Sequence, residues 1–312
     1  MVDMKNWFSN KLTWRKLIVA IKAGDETIVQ TLLSESPSIV DMKGFFDRTA
    51  LYYAVIYSQE KIVKIIIDQS LFSLDIVDAI KGWTPLYWSV VKGNTQIFSL
   101  LMDKSSVKQI NMPFDGETLL HEAAFMGHLE IAKILIEKSP NLINIPNKVG
   151  KNVLHVAAYS GHFEIAKMLI ENYPNLINAV NKDGDTTLHD AACGGSFEIA
   201  NMLIEKSPNL IYIVNKEGNT VLHYAAWKGH VKIVEMLLYE NPMLPYKVNN
   251  NGANALFFAE SSNQTKVVDI LKSMCTINHS DKKLPPIDLE SEEINFDDYG
   301  SDFGYVPLRG DE

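Results

Sequence analysis

Residues 118–147 read TLLHEAAFMGHLEIAKILIEKSPNLINIPN, and the same pattern returns three times: NVLHVAAYSGHFEIAKMLIENYPNLINAVN at 152, TTLHDAACGGSFEIANMLIEKSPNLIYIVN at 186 and TVLHYAAWKGHVKIVEMLLYENPMLPYKVN at 220. Repetition at a fixed period decides the fold before any single helix is assigned. Leu17, Leu51, Leu86, Leu120, Leu154, Leu188, Leu222 and Leu256 carry the period outward, 34 or 35 residues apart, which gives about eight units between residues 13 and 274. Thr49, Thr84, Thr118, Thr186 and Thr220, with Asn152 and Asn254, stand where a first helix begins. Their side-chain oxygens can cap its open amides. Pro85 fits the first helical position, and Gly24, Gly93, Gly127, Gly161, Gly195 and Gly229 suit a left-handed helix end. A second helix follows, as in EIAKILIEK, where Ile131, Ile134 and Leu135 share a face. Pro37, Pro140, Pro174, Pro208 and Pro242 then forbid its continuation.

One such helix pair cannot bury its own apolar faces, whereas stacked pairs share a continuous core. The expected fold is therefore all-α: a solenoid of helix-turn-helix units, roughly 60 to 80 Å long at 8 to 10 Å per unit. The pattern T-x-L-H-x-A-A-x-x-G-H-x-E-I resembles that of the ankyrin repeat family over most of the chain. The resemblance implies hairpin loops between units, around NKVGK, NKDGD and NKEGN, and a concave face that binds proteins. Units two, three and eight depart from the pattern: Tyr52, Tyr87 and Phe257 replace the motif His, while Ser58 and Asn263 replace the helix-ending Gly. The domain reading is a capping segment at 1–12, expected as a short helix with Trp7 and Phe8, then repeats at 13–274 and a flexible acidic tail at 275–312.

Charge supports that division. From Asp281 onward ten acids face Lys282, Lys283 and Arg309, a balance of -7, which leaves -2 of the formal -9 for everything before. Two cysteines, Cys193 and Cys275, give no disulfide framework, and no signal peptide or membrane-length apolar run is seen. The chain is expected to be a cytoplasmic monomer.

Several features invite chemistry. His121, His155, His189 and His223 recur at one phase, but equivalent atoms of stacked units lie too far apart to share a zinc ion. Each is read as bonding its own cap residue or a neighbouring loop. Cys193 is read as a buried structural thiol, and no phosphate loop, G-x-S-x-G or H-E-x-x-H occurs. Lys148, Lys151, Lys182 and Lys216, interrupted by Asp183, Asp185 and Glu217, are read as a solvated edge, too diluted to neutralise phosphates. The chain is thus expected to be non-catalytic, without cofactor, metal or nucleic-acid partner.

If the family geometry holds, Trp83, Phe125, Tyr159 and Trp227, with Tyr57 and Met126, line a groove for a partner protein; Phe45, Phe46 and Phe114 are equally core candidates. The tail, LESEEINFDDYGSDFGYVPL at 289–308, is expected to be disordered when free. Ile287 and Leu289 give PPIDLESEE the look of an extended peptide able to add a strand to a partner's sheet, as motifs bound by ubiquitin-like modifiers do. Glu290, Glu292 and Glu293 resemble the Glu-rich C-terminal signals of type IV secreted effectors, and ankyrin proteins are frequent effectors of intracellular bacteria. That resemblance implies export into a host cell without a cleaved signal. The alternative is an inhibitor that sequesters a basic regulatory protein with help from the acidic tail.

Overall fold

The computed structural model describes residues 2–69, 74, 77 and 82–277, with side chains placed from residue 10 to 274. Seventeen α-helices lie among the described residues. They pair as α1 (Val2–Ala23) with α2 (Glu26–Glu35), α3 (Ala50–Ile56) with α4 (Glu60–Gln69), and α5 (Pro85–Lys92) with α6 (Thr95–Met102). A short α7 (Val107–Ile110) precedes α8 (Leu119–Met126) with α9 (Leu129–Lys138), and α10 (Val153–Ser160) with α11 (Phe163–Asn172). The stack closes with α12 (Thr187–Gly194) and α13 (Phe197–Lys206), α14 (Val221–Lys228) and α15 (Val231–Glu240), and α16 (Ala255–Ser261) and α17 (Thr265–Ile277). The first helix of each pair lines one face and the second the other, with one apolar core running between them.

Each unit is built as its sequence demands. Thr84 Oγ1 accepts from the Tyr87 amide at 3.1 Å and Asn254 Oδ1 from the Phe257 amide at 2.9 Å, so Asn does replace Thr as a cap. Gly127 ends α8 at φ 78°, and there a second reason for glycine appears: a Cβ would meet the His162 ring of the next unit. Ser58 and Asn263 take the same left-handed conformation without glycine, at φ 55° and 56°. Pro37, Pro140, Pro174 and Pro208 each open a turn of 3-10 helix after the second helix.

Hairpins join the units through isolated bridges, Val180 with Thr186, Val214 with Thr220 and Val248 with Asn254. Their backbones also touch: the Lys182 amide donates to the Val149 carbonyl at 3.0 Å and the Lys216 amide to that of Asp183 at 2.8 Å. Asn147, Asn181, Asn215 and Asn249 hold the turns, each Oδ1 accepting two amides two and four residues ahead.

The structure resolves points that the sequence leaves open and overturns one expectation, the exposure of Lys151. α1 runs unbroken through residue 12, so the capping segment and the first inner helix are one element, and α17 likewise passes residue 274. Phe114 is buried against Tyr87, whereas Phe45 and Phe46 are exposed. Lys151 is buried, which removes it from the solvated edge that Lys148, Lys182 and Lys216 do form. The side chains of Trp7, Phe8 and Cys275 and the whole tail, with Ile287, Leu289, Glu290, Glu292 and Glu293, lie outside the described residues. No helix among the described residues is long and apolar enough to cross a membrane.

Candidate functional site

On the inner helices the position that follows Ala-Ala repeats at one register. Phe125 on α8, Tyr159 on α10 and Trp227 on α14 fall there, half-buried, with Cys193 of α12 between the last two. Met126 follows Phe125 on the neighbouring register, and Tyr57 occupies the equivalent place after α3, exposed. Charge accompanies two of the three aromatics. Lys228 Nζ lies 3.7 Å from the Trp227 ring centroid and Lys151 Nζ 5.6 Å from that of Tyr159.

Trp83 belongs elsewhere. It stands directly before the Thr84 cap of α5, stacks on Tyr87 at 4.7 Å and meets Trp88 edge-on at 5.1 Å. Tyr52 continues that aromatic cluster toward the first units by packing against Trp88 and Tyr53. Trp88, Tyr53 and Tyr52 were not expected at the site. Their signal was present, since Tyr52 and Tyr87 fill the motif His position and an aromatic there must find a new partner.

Beneath the row runs a buried polar layer. Lys151 Nζ donates to Asp190 Oδ1 at 2.8 Å, with side chains only 10% and 4% exposed. Burial drives the Asp190 carboxyl up to about 6 although Lys151 pulls it down, and Asp190 holds the buried Lys151 in its charged form. Tyr224 and Asn215 both donate to Asp185 Oδ1, at 3.0 and 2.9 Å. One unit group earlier, the Tyr87 hydroxyl donates to Glu122 at 2.7 Å, and burial raises Glu117 to about 7.

The four motif histidines are structural clamps. His121 Nδ1 lies 2.8 Å from Thr118 Oγ1, and Nε2 lies 3.2 Å from the Lys151 carbonyl of the following hairpin. A carbonyl oxygen only accepts, so Nε2 carries the proton and Nδ1 receives the Thr hydroxyl. His189 repeats this with Thr186 and Asn219, and His223 with Thr220 and Ala253. His155 lies between Asn152 and the Asp185 carbonyl. Burial holds His121, His155 and His223 neutral, down to about 4, and lowers His189 too. A second set points backward: His162 Nε2 reaches the Phe125 carbonyl at 2.7 Å and His230 Nε2 that of Cys193 at 3.1 Å. Cys193 is buried and its thiol is pushed up to about 12, chiefly by desolvation, so it is no ready nucleophile.

A family model described as ankyrin repeats (3 copies) matches residues 17–113, 69–145, 105–179, 154–246 and 211–282, overlapping spans that together run from 17 to 282. No curated protein matches the chain.

Proposed function

The chain belongs to the ankyrin repeat family, and we propose that it is a non-catalytic scaffold gripping a partner protein along the concave face of its repeat domain. Ankyrin repeats are in general protein-interaction modules. The observation that carries this reading is the row Phe125, Tyr159 and Trp227, aromatic side chains at one register of three inner helices, part-open to solvent. Aromatic anchors held by a rigid scaffold lose little freedom on binding, and such residues dominate interface energies. Exposed Lys228 beside the Trp227 ring favours a partner segment that brings an acidic side chain with its apolar ones, whereas buried Lys151 is already paired with Asp190. Trp83 contributes by supporting the floor of the groove, and Met126 and Tyr57 extend its edge.

The chemistry of the site favours binding over catalysis. The motif histidines are committed to hairpin carbonyls, and the Cys193 thiol is held protonated. The narrower reading, an exported effector, is supported by the Glu-rich composition around Glu290 alone. The alternative, sequestration of a basic protein, is supported by the -7 balance after Asp281.

A photo-crosslinking residue at Tyr159 or Trp227 tests the groove against one at exposed Lys232 on α15. Groove positions should trap the partner and Lys232 should not. The triple variant F125A/Y159A/W227A should weaken partner binding by roughly tenfold or more. Unchanged binding by that variant, with an unchanged melting temperature, would show that the face is not used.

A further inference from the structure

The first unit breaks a rule that later units keep. In the repeat register Val19 stands where Glu122, Val156 and Asp190 stand, side chains buried where they face the preceding unit. Ile28 stands where Ile131, Ile165, Ile199 and Ile233 stand, each at most 1% exposed. Yet Val19 is 67% exposed and Ile28 47%, and Leu12, two turns before Val19 on the same face of α1, is 58% exposed. Lys16 fills the register of the buried Leu119, Val153 and Val221, and it is exposed beside Arg15. Between residues 10 and 23 the helix carries Lys11, Arg15, Lys16 and Lys22 and no acid. Among the described residues this end of the stack is therefore an exposed unit-packing surface, apolar at its centre, with Lys11, Arg15 and Lys16 along α1; Lys22 turns instead toward Tyr53 and Tyr57 of the next unit, and α2 opens on Asp25 and Glu26, the latter paired with Lys61.

The same chain carries one segment of complementary chemistry. Residues 289–308 set Leu289, Ile294, Phe296 and Tyr299 among glutamates and aspartates, with no Lys or Arg. Reach decides which molecule's segment can dock. Leu289 is twelve residues beyond Ile277, the end of α17, a span of at most about 40 Å fully extended. The first and last helix pairs are seven unit steps apart, roughly 60 to 70 Å. Leu289 and Glu290, Glu292 and Glu293, at most sixteen residues beyond Ile277 and so within about 58 Å of it, thus fall short of their own α1, while a second copy presents no such limit. We propose that the acidic segment 289–308 of one copy docks on the open α1–α2 face of another, head to tail. Joining one surface to a different one leaves each copy a free donor and a free acceptor, so copies add in series until the series closes into a ring. This departs from the monomer expected of the sequence, and the open end face is what that expectation leaves unexplained.

Sedimentation velocity of the full chain, from low to high micromolar concentration at low and at physiological salt, tests the proposal. Wild-type mass should climb with concentration and fall back as salt screens the contact. R15E/K16E and, separately, E290Q/E292Q/E293Q should each weaken association by about tenfold or more. Mixing these two variants should restore a one-to-one pair and nothing larger, because only one competent junction remains. Should R15E/K16E lower the melting temperature, E290Q/E292Q/E293Q carries the comparison, since its changes lie outside the repeats. A wild-type chain monomeric at every concentration overturns the proposal. So does association that survives E290Q/E292Q/E293Q, which would mean that the two end faces meet each other. Binding of the wild-type chain to phosphatidylserine vesicles with no self-association would assign the basic face to a membrane and overturn it equally.

Discussion

At the scale of single residues, the repeat pattern dictates backbone conformation, and one residue works against it. Ser58 closes α3 at φ 55°, where Gly93, Gly127, Gly161, Gly195 and Gly229 close the equivalent helices. A side chain in the left-handed region costs about 1 kcal/mol, which glycine does not incur. S58G should therefore raise the stability of its unit by about 0.5 to 1 kcal/mol, read as a higher urea midpoint at unchanged slope. N263G should gain less, because Asn tolerates that conformation. At this scale the sequence was largely legible: the caps, the helix-ending glycines and the structural role of each motif His follow from residue type and register. The second duty of Gly127, making room for the His162 ring, was not, since it depends on how one unit sits on the next.

At the scale of elements, the interest lies between units rather than within them. Lys151 stands in the hairpin before α10 and Asp190 on α12, so their bond ties the loop leading into one helix to the inner helix of the following unit. Removing one partner leaves a buried charge uncompensated, and K151A or D190A should each cost about 3 to 5 kcal/mol. Replacing both with apolar residues, K151M/D190L, should cost far less than the sum; the measurement is a double-mutant cycle by chemical denaturation. Strict additivity in that cycle would mean that the pair is not coupled. This pair could not be read from the sequence because its members are 39 residues apart and stand at positions where the motif sets no residue type. The aromatic row proposed to bind a partner was half legible for the same reason. Register placed Phe125, Tyr159 and Trp227 on one row, but the capture of Trp83 by Tyr87 and Trp88 and the burial of Phe114 arise from neighbours that only the stack brings together.

At the scale of the whole molecule, the clamps make stability depend on pH. His121, His155 and His223 are held neutral down to about 4, and His189 is shifted the same way. The unfolded chain takes up protons near pH 6.5, so this stabilisation is complete above that pH and is lost as pH falls toward 4. His121, His155 and His223 each contribute up to roughly 3 kcal/mol across that window, and His189 acts in the same direction. Glu117, raised to about 7, and Asp190, raised to about 6, work in the opposite sense, since the folded state holds their protons more tightly. With four histidines against two carboxyls, the melting temperature should fall from pH 7 to pH 4.5, and H189Q should flatten that fall; a profile that is flat or rises toward acid would contradict the assignment. The direction of the clamps has a further meaning for how the chain is made. Each Nε2 in the fourth to seventh units finds its carbonyl 30 residues ahead, in a hairpin that leaves the ribosome later. A unit is therefore not finished when its own last residue has been synthesised but only when its successor's loop has formed. Assembly runs one period behind translation, and Phe257, standing at the eighth His position without a ring nitrogen, brings the relay to a halt.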